Sequence, residues 1–494
     1  MIVNNSFFPI ATSARTITAM KQEMDNLQVQ LGTGKKANSL AQLGTDTLND
    51  VSLRARLTQM SSYQNSISTV NLRLDFLDNA MTALSDTQSA AKSSVAAGGG
   101  VTAGQAPSLA RQQLASVIDV LNSDLNGRYM FGGSTTDQPP VASLDVLLNG
   151  SGGKAGFTQV AAERLAADKG VDGLGRLAIA QTGDTVTLGE DGVHPFGFKI
   201  DGLADSGSSA TLTQPAGSPP ASAVQFSGTP ADKEVFSVRL KLPDGTTETI
   251  ELQATSGDAG PGQFKIGAAG PDTAANFAAA LGNSIEGLAN TKLAAASAYA
   301  AADNFFNGPG GTPMRVDGPP FETATALVAG TPANTVQWYV GGDAPSAQNS
   351  VAARIDQSTT VGYGVQANET GIAGLMKNLA AMAISGFPNG DADAPARYQA
   401  MADRQLQRLS ADSNDGTASL RAISLRLGLT RATVGDTRDR LQTYSTQMQG
   451  MLDDIEKAPP EEVAMKLLAL QTQLQATFQT TANVAQLSLV NYLK

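Results

Sequence analysis

Cysteine is absent from this chain of 494 residues, and histidine and tryptophan occur once each, as His194 and Trp338. Without cysteine there is no disulfide framework, no thiolate nucleophile and no Cys or Cys/His metal site. A Ser-His-Asp arrangement would have to use His194. That residue sits in GEDGVHPFGF, a turn-rich stretch far from any nucleophile-elbow pattern, and is expected to be a solvated turn histidine. Also missing are an apolar run of ~20 residues, which a bilayer-spanning helix needs, and a basic stripe of the kind that binds phosphate backbones. The start, MIVNNSFFPIATSAR, has neither a basic n-region nor a continuous apolar h-region, so a Sec signal peptide is not expected. These absences predict a protein that is not an enzyme, with no catalytic residue, no cofactor, no metal, no nucleic acid partner and no membrane insertion.

Charge is scarce too. Lys, Arg, Asp and Glu make up 16% of the residues, and the formal net charge is −11. The surplus is local: residues 1–133 carry 10 basic and 9 acidic side chains, 134–366 carry 12 and 23, and 367–494 carry 12 and 13. Residues 134–345 also hold 16 of the 22 prolines and 30 of the 50 glycines, the residues that interrupt regular structure. Three parts are therefore expected: N-terminal helical coiled-coil segments over 1–133, an inserted, β-rich variable module over 134–366, and C-terminal helical segments over 367–494 that pair with the N-terminal ones. The fold class is mixed, an elongated, discontinuous α-helical coiled-coil rod formed by both chain ends with an inserted α+β middle.

The apolar spacing says where the helices run. Ile10, Ala14, Ile17, Met24, Leu27 and Leu31 recur mostly at threes and fours, one helical stripe, before Gly32 and Gly34 interrupt it. A longer register follows through Leu53, Leu57, Met60, Tyr63, Ile67, Val70, Leu74, Leu77, Met81 and Leu84, continued by Ala91 and Val95 after a polar Gln88. About six heptads of this kind predict a coiled-coil-like seam. Gly98, Gly99 and Gly100 end it, and a third helix carries Leu114, Val117, Leu121 and Leu125. Near the other end, Leu420, Ile423, Leu427, Val434, Leu441, Tyr444, Met448, Met451 and Ile455 hold a heptad register that stops at Ala458-Pro459-Pro460. Pro459 and Pro460, with Glu461 and Glu462, suit the first turn of a new helix carrying Val463, Leu467, Leu470, Leu474 and Phe478. A lone helix with a narrow stripe does not offset its own ordering entropy, so helices near 10–31 and 463–492 are expected to pair with each other and with neighbouring subunits.

The middle reads as β-structure with helical inserts. Phe236, Val238, Leu240 and Leu242 alternate with polar residues, Pro243-Asp244-Gly245 supplies a turn, and Ile250 and Leu252 resume the alternation. Asp272 is placed to cap a helix through Phe277, Leu281 and Ile285, and the Ala-rich run Thr291–Ala302 predicts another. Thr335–Val340, Val351–Ile355 and Thr360–Gln366 are expected strands. The Asp-Gly pairs are too irregularly spaced for calcium loops and read as turns, and Gly308-Pro309-Gly310-Gly311 lacks the Lys-Ser/Thr of a phosphate loop.

One cluster stands apart. In LNGRYMFGGSTTDQPP, beginning at Leu125, aromatic residues meet glycines and prolines where the third helix ends. Tyr129 and Phe131 are expected anchors between the helical end and the inserted module. NGRYMFGGSTTDQPPV closely resembles the junction motif of the bacterial flagellar hook-filament junction proteins, hook-associated relatives of flagellin. QLQATFQTTANVAQLSLVNYL resembles that family's terminal helix, with Gln486-Leu487-Ser488-Leu489 and Asn491-Tyr492-Leu493 matching its closing pattern. LQVQLGTGKKAN, at 27–38, is similar to the break after its first helix, although SLAQLGTD follows where the family often has a Pro-Ser-Asp-Asp-like stretch.

The resemblance implies a structural adaptor between flagellar hook and filament, extracellular, exported without a Sec signal peptide through the flagellar type III apparatus with an export chaperone. Its implied partners are further copies of itself in a ring or tube, the hook-side adaptor protein and flagellin. Flagellin itself, and more distantly a secreted adhesin or binding module, are the alternatives. The assembly surface would comprise Ile10, Ile17, Met24, Leu27 and Leu31; Ile67, Val70, Leu74, Leu77, Met81 and Leu84; Leu441, Met448 and Ile455; and Leu467, Leu470, Leu474, Leu487 and Leu489. The motif residues would be Asn126, Gly127, Arg128, Tyr129, Phe131, Gly132 and Gly133.

Overall fold

The longest heptad runs become the longest helices. The computed structural model describes residues 7–96, 102–307, 311–414 and 419–492; Gly98, Gly99 and Gly100 lie outside them. Helix α1 (Phe7–Thr33) stops where Gly34 adopts φ +68°, a left-handed backbone open to glycine at little cost. A 3-10 stretch (Leu40–Asp46) leads to α2 (Thr47–Val95), and α3 (Ala106–Leu121) follows. After the two-residue strands β1 (Asp124–Leu125) and β2 (Arg128–Tyr129) come α4 (Leu144–Asn149) and α5 (Phe157–Lys169). Eight strands then precede α6 (Gly270–Leu288), a π-helical turn (Ala289–Leu293) and α7 (Ala294–Phe305). Short strands and the four-residue α8 (Ala347–Ser350) lead into α9 (Thr370–Ile384), α10 (Ala394–Asn414), α11 (Leu420–Glu456) and α12 (Pro460–Tyr492). Long helices at both ends of the chain and a β-containing middle are the architecture that the composition predicted. The third helix is shorter than expected: it ends at Leu121, and Leu125 belongs to β1.

The chain forms two compact units. The first comprises Met1–Thr69, Arg354–Thr359 and Thr433–Lys494, the second Val70–Ala353 and Thr360–Ala432. In the first, α1 and α12 run antiparallel, with Leu27 buried against Ala458 and Val463 and flanked by Leu467 and Leu470. Thr477 Oγ1 lies 4.0 Å from Met20 Sδ further along the same pair. Two backbone hydrogen bonds clasp the break regions: Lys36 N–H donates to Glu456 O (2.7 Å) and Ala458 N–H to Gly34 O (2.9 Å). Arg54 of α2 bonds both the fully buried Asp50 and Glu456 of α11, and Gln64 donates to Gln442. Residue numbers rise along α2 as they fall along α11, so these helices too are antiparallel.

In the second unit α2 buries Val70, Leu74, Leu77, Met81, Leu84, Gln88 and Ala91, an unbroken three-four alternation. Arg431 of α11 pairs with Asp75 and Asp78 of α2. Helix α9 is buried on nearly every side, including Ile372, Leu375, Met376, Leu379 and Met382, because α3, α7 and α10 all pack on it. Between α7 and α10, both oxygens of Asp303 accept from Arg408 (3.2 and 2.8 Å), and Lys377 lies 3.2 Å away. Burial alone pushes the Asp303 carboxyl up, but hydrogen bonds and charge from Arg408, with Lys377 adding to them, hold it below its ordinary value. The stability this pair contributes is present above the unfolded carboxylate pKa of about 3.9 and is lost as pH falls through the lower folded value. Thermal melts of the parent and of Asp303→Asn should therefore differ at pH 7 and converge as the pH falls through the lowered folded value; a constant difference would remove this account.

The β-structure also belongs to the second unit. Strands β3 (Leu177–Thr182), β4 (Thr185–Glu190), β5 (Lys199–Asp205), β6 (Thr211–Ala216), β7 (Ala221–Gln225), β8 (Val235–Lys241), β9 (Thr247–Thr255) and β10 (Gln263–Lys265) make two four-stranded sheets. Their orders are β3-β4-β7-β6, all antiparallel, and β10-β9-β8-β5, with β10 parallel to β9. The β8–β9 hairpin turns at Pro243-Asp244-Gly245, with Gly245 at φ +84°, and buries Phe236, Val238, Leu240, Ile250 and Leu252, as the alternation predicted. Phe226, Phe236, Phe264 and Phe277 of α6 meet with ring centroids 5.2–6.0 Å apart. Strands β3 to β7 escape the pattern because much of their sequence is Ala, Gly, Ser and Thr.

Other expectations need correction. Asp272 lies in the first turn of α6, while Ala269 occupies the cap. Thr273 accounts for the shift, since its hydroxyl accepts from Gly267 N–H and donates to Ala269 O. Thr335–Val340 is not a strand: Val336 N–H donates to Ala155 O, whereas Trp338 O accepts from Ala142 N–H and Val340 N–H donates to Pro140 O. Split between two partner segments, it forms only isolated bridges. The last two expected strands contract to β13 (Ala352–Arg354) and β14 (Thr360–Gly362), after β11 (Met314–Val316) and β12 (Leu327–Ala329). His194 is not solvated. Its side chain is fully buried; Nδ1 accepts from Phe196 N–H (3.2 Å), so Nε2 carries the proton and donates to Asp191 Oδ1 (2.6 Å).

Candidate assembly surface

Helical seams have two fates in a protomer: a side chain is covered by its own chain or left for another. Ile67, Val70, Leu74, Leu77, Met81, Leu84 and Leu441 are covered, as are Leu27 and Leu474. Ile17, Met24, Met448, Ile455, Leu467 and Leu470 are half-buried. Leu31 is 45% exposed, because the α1 seam passes through half-buried Gln30 at that turn. The side chains of Ile10, Leu487 and Leu489 lie outside the described residues. In α11 the expected register also shifts. Leu420, Ile423, Leu427, Thr430, Val434, Thr437 and Leu441 alternate at threes and fours, but the next inward positions are Ser445 and Met448, half-buried, and Leu452, buried. A four-residue step after Leu441 where three was due is a stutter, and it turns Tyr444 and Met451 outward.

Exposed apolar residues are unevenly shared. Among the described residues, eleven of nineteen large exposed hydrophobics lie in the first unit, which holds little more than a quarter of the chain. They include Val29 and Leu31 of α1, Tyr444 and Met451 of α11, and Met465, Leu468, Phe478 and Val484 of α12. Helix α12 has a second peculiarity: from Leu467 to Tyr492 it contains no charged residue. Solvated helix faces normally carry charge, and charge depletion with exposed apolar residues marks the centre of a protein interface.

The motif residues lie within the second unit. Asn126 (φ +55°) and Gly127 (φ +76°) form the two-residue turn between β1 and β2, the Asn-Gly pair that such turns demand, and Gly127 N–H donates to Asp124 Oδ2 (2.7 Å). Arg128 is exposed, Tyr129 half-buried and Phe131 fully buried. Phe131 O accepts from Ala367 N–H (2.9 Å), Gly132 bridges Gln366, and Gly132 O accepts from Gly342 N–H (2.8 Å). The backbone leading into residues 134–366 is thus bonded to the backbone leading out. Gly133 sits at φ +60°, and a Cβ there would lie 2.7 Å from Gly342 O. Gly133→Ala is expected to cost about 2–3 kcal/mol, whereas Gly127→Ala, with open space around it, should cost about 1 kcal/mol. Equal shifts in thermal midpoint would show that close packing at Gly133 is unimportant.

Among the described residues, no group of three or more His, Asp or Glu is placed to hold a metal ion, and no helix is long and apolar enough to cross a membrane. What the described residues do offer is uncovered apolar side chains on the long helices at both chain ends, without charge on α12 from Leu467 onward. Residues 5–136 match the family model of the bacterial flagellin N-terminal helical region, which supports membership of the flagellin superfamily, a structural role in the extracellular flagellum and self-association into a filament-like polymer. No curated protein gave a match to the chain.

Proposed function

We propose that the chain is the adaptor between flagellar hook and filament. The observation that carries this beyond a general flagellin-like role is its closing sequence, Gln486-Leu487-Ser488-Leu489 with Asn491-Tyr492-Leu493, which resembles the junction proteins where flagellins typically differ. NGRYMFGGSTTDQPPV supports the same reading. In this mechanism copies of the chain join through α1, α12 and the outward side chains of α11 to form a ring or tube. Residues 1–133 and 367–494 are the assembling part, and 134–366, where the acidic surplus lies, is an inserted module that faces outward. The hook-side adaptor and flagellin are the neighbours, and export runs through the type III apparatus with a chaperone.

Filament flagellin is the second reading, with which the family match agrees equally well. Labelling the protein on intact cells separates the two. Signal confined to the distal end of the hook is the expected result, and signal along the filament would assign the chain as flagellin. A deletion strain should keep its hooks and shed flagellin into the medium.

A further inference from the structure

The second unit holds a cavity of about 410 Å³ that no residue of α1, α11 or α12 lines, within the roughly 300–1,000 Å³ range of small-molecule sites. Leu165 of α5, Ala298 of α7, Ile384 at the end of α9 and Met401 of α10 give it apolar walls. The room comes from the alanines that α5 and α7 present to each other. Two cations, Lys169 and Arg397, also line it, and no carboxylate does. Lys169 donates to a neutral partner, Asn290 Oδ1, at 2.6 Å. Arg397 spends a terminal nitrogen on Asp391, and its Nε is buried without a hydrogen-bond partner. Burial, together with repulsion from Arg397, holds the Lys169 amine below its ordinary value, against the opposing pull of Asp393, Asp391 and Glu286, and an anion between the two cations would offset that repulsion.

We propose that this cavity binds an amphipathic monocarboxylate, its head between Lys169 and Arg397 and its hydrocarbon body against Leu165, Ala298, Ile384 and Met401. Two positively charged donor groups match the two oxygens of a carboxylate, and the apolar walls select a chain over a compact polar anion.

The test is calorimetric titration of the full-length protein with decanoate, kept below its micelle concentration, and with decanol as the uncharged counterpart. Saturable 1:1 binding of decanoate is expected, with decanol at least about tenfold weaker and Lys169→Gln weakening decanoate by about tenfold. Ala298→Trp, which fills the cavity, should abolish binding without lowering the thermal midpoint. Absence of saturable binding, equal affinity for decanol, or unchanged binding by a folded Ala298→Trp would each overturn the site. Should Ala298→Trp fail to fold, Lys169→Gln and the decanol comparison still decide. None of these outcomes bears on the assembly reading.

Discussion

Replacing Leu74 and Leu77 together by Asp should abolish the cooperative unfolding transition of the second unit's helices and leave no assembly-competent protein. Leu74 is 0% and Leu77 1% exposed, neighbours on the covered stripe of α2. Each substitution removes about 1.5–3 kcal/mol of apolar burial and brings in a carboxylate whose unpaired burial costs several kcal/mol more. The two together reach the whole stability of an ordinary domain, about 5–15 kcal/mol. Leu72 is the control: it lies on the same helix but is 50% exposed, so Leu72→Asp should change stability by no more than about 0.5 kcal/mol. Circular dichroism melts of the variants decide the point. If Leu72→Asp were as damaging as the pair, the harm would come from charge on α2 and not from the covered seam.

That contrast shows what periodicity conveys. On α2 the heptad pattern picks out the covered positions from Ile67 to Ala91, because neighbouring elements of the same chain cover a single narrow stripe. On α11 the same reasoning slips after Leu441, where Tyr444 and Met451 fit an ideal heptad but the stutter turns Ser445 and Leu452 inward instead. A serine at a seam position gives no apolar signal, so the shift is invisible in the pattern. His194 departs from the local pattern for a related reason. Turn-rich surroundings predict exposure, whereas Asp191 and the Phe196 N–H, both within three residues, satisfy the ring's two nitrogens and permit its burial. At the motif, the Asn-Gly turn was readable from sequence in principle. That Gly132 bridges Gln366 was not, because a contact more than two hundred residues away leaves no local trace.

The separation of folding from assembly gives the other large prediction, on α12. Met465 and Leu468 are 65% and 63% exposed, away from the seam of Val463, Leu467, Leu470 and Leu474 that faces α1. Changing both to Glu touches no covered contact, so the stability of the protomer, read from thermal melts, should stay within about 0.5 kcal/mol of the parent. In an assembly the same face would enclose two unpaired carboxylates per copy, repeated around the symmetry axis, and each would cost several kcal/mol. Incorporation into flagella, scored by labelling of intact cells, should fall by at least about a hundredfold, as ~3 kcal/mol per copy already requires. Val463→Glu supplies the contrast, because Val463 is 4% exposed against Leu27. It should lower the midpoint of the protomer as well as block assembly. Normal incorporation of the Met465→Glu, Leu468→Glu protein would show that this face of α12 stays in solvent. The missing charge from Leu467 to Tyr492 would then have to serve something other than contact between copies.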